Sequence, residues 1–365
     1  MKRTGDFKET KGVNVAVKKE TARNEKVHDN VIKGSFFATI KFKLISSFIV
    51  PIMFIILLGT VSFLKASEVI ESNYEKAVEA LINMASECMK TGFKSVQASA
   101  AIYTDDSLFQ KYSLSYDDKA KAWQYRDDIA SDLASRKEVD ELIKNMYLIN
   151  EKVEAISTGE GIDDGLYNSF KETDLGKILD NKKNKFVWDG EDEFLDKQLK
   201  TTADEYSMRL IRNVINVNAI LIIDVKADFV KNIFSDLKFD KIGFLGLVTP
   251  DGKEMIDYSL KQEDPGIDMK ALKTEKIFVN QAFYKEAMAG EEVRGSKYIE
   301  YKGSTYLFMY SKISDTGAAL CALLPKSTIT SQADSVKNVT IMIVIIGCII
   351  TILIATMLSS RNDKK

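Results

Sequence analysis

Two long apolar runs frame the chain, and between them the hydrophobic positions change period several times. Leu44 to Leu64 is 21 residues without a formal charge, closed by Lys43 and Lys65. Val339 to Leu358 is a second uncharged run, between Lys337 and Arg361. A helix rises about 1.5 Å per residue, so each run covers a bilayer core of roughly 30 Å. Both runs predict transmembrane helices. The 273 residues from Lys65 to Lys337 then form one loop on one side of a membrane. The first run starts too far from the N-terminus, and is too long, for a cleaved signal peptide, so it predicts an uncleaved signal-anchor. Pro51 and Gly59 lie inside it, where membrane helices tolerate them.

A helical pattern continues past the first run. Ile70, Tyr74, Ala77, Leu81, Met84 and Cys88 are spaced 4-3-4-3-4, a heptad seam on a helix predicted to reach about Tyr103. The seam suits pairing with the same helix of a second chain; packing against its own domain is the alternative. Asp117 to Asn145 reads as a second helix. Short strands follow. Met146 to Ile149 and Val153 to Ile156 flank a polar turn, Phe186 to Trp188 is a short candidate, and Asn218 to Ile223 is apolar enough for the centre of a sheet. Helical spacing returns over Ala227 to Leu237.

A similar order then recurs. Phe244 to Val248 leads into the turn Thr249-Pro250-Asp251-Gly252. A helix is predicted over Gln281 to Met288, a hairpin over Tyr298 to Tyr310, and a last strand over Ala318 to Leu324. Leu148 finds its counterpart at Leu247 and Ile220 at Leu320, offsets of 99 and 100. The pattern predicts two small modules of roughly 100 residues, each with room for a modest core. The fold class expected is α+β: a two-span membrane protein with a long helix carrying two tandem PAS-like modules. The predicted divisions are a basic tail over 1–43, spans over 44–64 and 339–358, a helical stalk over 65–145, modules over 146–238 and 239–330, and a short tail over 359–365.

Charge orients this arrangement. Residues 1–43 hold 11 Lys/Arg against 5 Asp/Glu, and residues 359–365 hold 3 against 1. The remainder carries 37 basic and 47 acidic residues, a net of −10. Basic residues collect on the cytoplasmic side of membrane spans, so both termini are expected inside and the acidic loop outside, at the plasma membrane. An acidic loop also argues against a nucleic-acid partner. The tail over 1–40 is polar, Lys-rich and expected to be disordered. His28, in that tail, is the only histidine. Cys88, Cys321 and Cys348 do not make a disulfide framework; three buried free thiols are expected, with a Cys88 bridge between two chains as the alternative. The acidic pairs at 105–106, 117–118, 127–128 and 163–164 are adjacent, so their carboxylates diverge rather than converge on one reacting atom. No phosphate loop, nucleophile motif or metal-ligand spacing is present. No enzyme, cofactor or metal site is expected.

The juxtamembrane Ile40 to Ile45, the strand-to-helix segment Ala219 to Lys226, the turn Thr249 to Lys253 and the closing Leu324-Pro325-Lys326 together resemble the front half of a methyl-accepting chemotaxis receptor with a double Cache (dCache) ectodomain. The resemblance covers much of residues 40–360 and concerns arrangement more than chemistry. It implies a small-molecule sensor that signals through the second span. Receptors of that family continue into a HAMP linker and a cytoplasmic helical hairpin, and Ser359 to Lys365 cannot be either, so a separate cytoplasmic signalling protein or a truncation is implied. The same ectodomain also fronts sensor kinases and cyclases.

Amino-acid-binding members carry a Tyr/Arg/Trp-Tyr/Asp pattern in the membrane-distal module. Only its late Asp has a counterpart here, Asp224; Trp188, Asp189, Tyr206 and Arg209 are nearby candidates without the motif. Asp224 reads as a carboxylate for a ligand amine or as an N-cap of the following helix. Arg209 reads as a bidentate clamp for a ligand carboxylate or as a solvated strand residue. Trp188 and Tyr206 line a pocket or fill a core. The functions left open are an extracellular sensor, a membrane-anchored assembly partner with no ligand, and the front end of a kinase or cyclase.

Overall fold

The computed structural model describes residues 40–162, 165–181, 185–237, 243–257 and 275–362. The expected disorder of the tail and the pair Asp163-Asp164 lie outside the described residues. The described residues divide into two compact units, one of residues 40–71 with 331–362 and the other within Ser72–Thr330. Helix α1, Ile40–Thr104, and the last helix, Lys326–Asn362, are both long and apolar enough to cross a membrane. In the first unit they meet at Gly59, where an added Cβ would stand 2.5 Å from Val344 Cγ2.

The second unit is α+β, as expected. After α1 come α2 (Ser107–Leu114) and α3 (Lys119–Val139). Asp106 and Asp118, one from each of two acidic pairs, cap these helices by accepting from Leu108 N and Lys121 N. The helix expected to run to Asn145 stops at Val139, because Ile143 already pairs with a central strand. The first sheet holds β1 (Ile143–Asn150), β2 (Ile156–Ser157), β3 (Phe186–Asp189), β4 (Tyr206–Asn213) and β5 (Ala219–Lys226), in the order β2-β1-β5-β4-β3. The second holds β6 (Phe244–Val248), β7 (Glu254–Asp257), β8 (Arg294–Tyr301), β9 (Ser304–Ile313) and β10 (Ala318–Pro325), in the order β7-β6-β10-β9-β8. All pairings in both sheets are antiparallel.

The two sheets superpose strand for strand in sequence. Leu148 pairs with Leu221, and Leu247 with Leu320. The offset is therefore 99 in both strands, and Leu221 rather than Ile220 is the counterpart of Leu320. One face of each sheet joins a common core against α1, through Met146, Leu148, Leu221, Ile223, Leu247 and Leu320. Helix α1 meets them with Val78, Ile82, Ala85, Met89, Phe93, Val96 and Ala100, spaced 4-3-4-4-3-4 and all buried. Each such Ile, Met or Phe contributes about 1.5–3 kcal/mol when fully buried. Gly92 lets Phe229, on helix α7 (Ala227–Asp236), approach this stripe, since an added Cβ would lie 2.3 Å from Phe229 Cζ.

The seam read from the sequence lies beside this stripe. Ala77, Met84 and Cys88 are exposed, and Ile70, Tyr74 and Leu81 are half-buried. Cys88 is thus an exposed free thiol rather than a buried one, whereas Cys321 is buried.

The opposite face of each sheet is closed separately. Over the first lie α4 (Leu166–Lys171), α5 (Asp174–Asp180) and α6 (Glu193–Leu199), sealing Ile149, Ile211, Ile220 and Ile222 beneath Phe170, Leu195 and Leu199. Over the second lie Ile277, Phe278 and helix α8 (Ala282–Ala289), packed on Phe308, Ala319, Cys321 and Leu323.

Candidate functional site

The helix-covered face of the first sheet carries a row of polar side chains inside an apolar surround. Strand register aligns Asp189 with Arg209, Arg209 with Asp224, and Asp224 with Asn145. Because side chains alternate along a strand, these four share the face of Ile211, Ile222 and Tyr147. Arg209 and Asp224 are fully buried. Arg209 Nε donates to Asp224 Oδ1 at 2.6 Å and Nη2 to Oδ2 at 3.2 Å, a bidentate pair. Asp196, on the first turn of α6, brings a second carboxylate 2.9 Å from Arg209 Nη1 and accepts the Tyr206 hydroxyl at 2.8 Å. The guanidinium lies 4.4 Å from the centre of the Tyr206 ring.

Burial works against the Arg209 charge, but Asp224 and Asp196 more than offset it, so the guanidinium holds its proton above its ordinary range. Burial and the neighbouring Asp224 carboxylate keep the Tyr147 phenol protonated well above the usual tyrosine range. Asp189 is pushed up to about 7, chiefly by burial and then by the Asp251 and Asp192 carboxylates. Its Oδ2 is buried without a hydrogen-bond partner among the described residues. Arg209 Nη1, though close to Asp196, also lacks a properly angled acceptor.

Four of the five residues singled out in the sequence, Asp189, Tyr206, Arg209 and Asp224, come together here. Trp188 does not: it points to the other face of β3, where its ring meets Phe93 edge-on at 5.3 Å and its Nε1 donates to Gln97 at 3.4 Å. Asp224 does not cap α7, whose N-cap is Lys226 with no side-chain cap bond. Asp196, Tyr147, Asn145 and Lys253 were missed. Asp196 carries no local signal, and Lys253 sat in a recognised turn without any hint of its contacts. That ammonium is buried, lies 4.3 Å from the Tyr206 ring centre, and also borders an open cleft of about 580 Å³ shared with Ala203, Phe234 and Met255.

The second sheet is an internal control. The positions equivalent to Asn145, Arg209 and Asp224, each 99 residues on, are Phe244, Phe308 and Leu323, and they pair in the same register. Phe308 packs with Phe283 at 4.7 Å and Tyr310 at 5.7 Å between ring centres. The same fold positions are therefore polar or charged in one module and apolar in the other.

No protein-family description matches the chain. No curated protein matches it either. Among solved structures it is similar to the extracellular domain of rpHK1S-Z16, a protein assigned as a histidine kinase (11% identity, TM-score 0.49, covering 71% of this chain and 98% of that one). It is also similar to the ligand-binding domain of Mlp24, solved with asparagine (13%, 0.43, covering 73% and 98%). A third likeness is to the ligand-binding domain of the amino-acid chemoreceptor PctC of Pseudomonas aeruginosa PAO1, solved with GABA (16%, 0.39, covering 69% and 98%).

Proposed function

We propose that residues 72–330 are an extracellular dCache sensor that takes a small polar solute at the Asp189–Arg209–Asp224 row of the first module. In this reading the two long apolar helices span the plasma membrane and both chain termini are cytoplasmic. The observation that carries it is the asymmetry between two equivalent sheets. Apolar side chains of similar volume usually stabilise a core as well as, or better than, a buried ion pair. Phe308 and Leu323 show that this fold accepts the apolar solution. Retaining Arg209 and Asp224 in the first module therefore points to a use other than stability. The row also has unsaturated hydrogen-bonding capacity at Asp189 Oδ2, which a solute donor would complete.

The signal follows from a shift between two packings. A solute biases them only by its difference in affinity for the two. The strand β10 leads without a break into the last helix, Lys326–Asn362, so displacement of the second sheet reaches the second span directly. Pairing of two chains through the exposed seam of α1 would place two such spans side by side.

The test is a thermal-shift screen of the full chain in lipid nanodiscs against amino acids, organic acids, amines, sugars and nucleobases. A solute at 100 times its Kd adds about 2.7 kcal/mol to the folded state. A hit that disappears in Asp224→Asn supports a sensor with its site in the first module. A well-folded sample with no hit favours an assembly role without a ligand.

A further inference from the structure

Besides the apolar core that the two sheets share, the second module makes polar contacts with the first at the back of the ion cluster. The turn Thr249-Pro250-Asp251-Gly252-Lys253 joins β6 to β7. It is held internally by Thr249 N–H and Thr249 Oγ1, both donating to Lys253 O at 3.0 and 3.1 Å, and by Gly252 N–H donating to Thr249 O at 3.0 Å. Gly252 has φ of 91°, the left-handed region that favours glycine.

From this rigid turn two side chains extend to the first module. Lys253 Nζ donates to the carbonyls of Gly190 at 3.0 Å, Tyr206 at 2.9 Å, and Ala203. Asp251 accepts from Gly190 N–H at 2.7 Å and Glu191 N–H at 3.1 Å. The fit is tight: a Cβ added at Gly190 would fall 2.1 Å from Thr249 Oγ1 and 2.5 Å from Asp251 Oδ1.

Two of these anchors, Gly190 and Tyr206, adjoin the cluster. Gly190 follows Asp189 in sequence. Tyr206 bonds Asp196 and lies against Arg209, and its ring receives the Lys253 ammonium as well. On the other side, the residue after Lys253 is Glu254. Its carboxylate accepts the N–H groups of Ile277, Phe278 and Val279 at 2.7 to 2.9 Å, which fixes the segment lying on Phe308. The buried lysine keeps a full set of acceptors only while Gly190, Ala203 and Tyr206 hold their present arrangement. Losing them would leave a buried charged donor and three carbonyls unsatisfied, which is the costly direction for hydrogen bonds. Burial lowers the Lys253 ammonium to about 8, and the Glu191, Asp196 and Asp251 carboxylates oppose that fall.

Resting on the sensor reading above, we propose that the 249–253 turn is the coupling element between the modules, and that Lys253 is the residue through which the arrangement of the ion cluster is felt in the second sheet. A rearrangement of Tyr206 or of the Gly190 loop pulls on Lys253. The rigid turn passes that to Glu254, and Glu254 passes it to the segment 277–279.

The experiment needs no solute. Amide hydrogen exchange is measured on the full chain in nanodiscs, reading Ile277, Phe278 and Val279. The cluster is perturbed by Asp196→Asn, in the parent chain and in Lys253→Met. Coupling through Lys253 requires that Asp196→Asn speed exchange at 277–279 by about threefold or more in the parent, and add nothing further in Lys253→Met. An unchanged rate in the parent overturns the proposal. The same acceleration in both backgrounds overturns it too, because the signal would then travel by another route. If Lys253→Met fails to fold, Lys253→Gln, which keeps a donor but not the charge, takes its place with the same reading. Because no ligand is used, failure here leaves the sensor reading standing, and a screen without hits would leave the coupling result standing.

Discussion

The charged residues of the first module decide more than their number suggests. Arg209 has two carboxylates around it, and removing it leaves Asp224 buried and unpaired. Arg209→Met should therefore cost about 3–5 kcal/mol in urea or guanidinium unfolding. Replacing the pair together, Arg209→Phe with Asp224→Leu, copies the second sheet and should recover most of that loss while abolishing solute binding. A double variant as unstable as the single one would show that the cluster is structural. Asp189 gives a pH signature. An unfolded aspartate releases its proton near 3.9, and the folded one near 7. Between those values the folded chain holds a proton that the unfolded chain has lost, so this residue lowers stability as pH rises from about 4 to about 7, and the loss is constant above. Asp189→Asn removes the effect. Its stability relative to the parent should rise between pH 4.5 and 8 by on the order of 2–4 kcal/mol, followed by unfolding at each pH. A difference that does not change with pH would mean that Asp189 is solvated.

At the scale of elements, legibility followed the pattern of burial. Strand β5 is apolar up to Asp224 and legible as the centre of a sheet, and β10 is apolar throughout and legible as a strand. Strand β4 carries no legible strand pattern, since its buried residues include Arg209, Ser207 and Tyr206 and show no alternation. The short helices α4, α5 and α6 span six or seven residues each, too few for a period to emerge. In α1 a real heptad seam was legible, but the deeper stripe, Val78 to Ala100, faces the chain's own core. The two stripes make opposite predictions for cross-linking. Oxidation of membranes holding the parent chain should give a covalent dimer through Cys88. A chain carrying Cys88→Ser and Val78→Cys should give none, because that position is buried in its own core. Equal cross-linking by both, or by neither, would count against pairing through the exposed seam. Gly190 offers a second check at this scale. Gly190→Ala should destabilise the 72–330 unit by about 1–3 kcal/mol, as overpacking does, through loss of the fit to Thr249 and Asp251.

For the whole molecule, the two long apolar helices, the tandem modules between them and the acidic charge of that region were all carried by composition and period, which act over many residues. The site was only half legible. Asp224 and Arg209 stood out by chemical type. Their partnership depends on strand register, and Asp196 and Lys253 arrive from segments that no local pattern links to them. The repeated sheet architecture supplies what a single module cannot, a version of the same strand order without the charges. It also locates the decisive experiment. With a solute found by the thermal screen, amide exchange of the full chain should be compared with and without it. Protection centred on Asp189, Gly190, Tyr206, Arg209 and Asp224, with β9 and β10 around Phe308 and Leu323 changing less, is the expected result. Protection confined to the second module, or none with any solute that stabilises the chain, would contradict a sensor whose site is the ion cluster of the first.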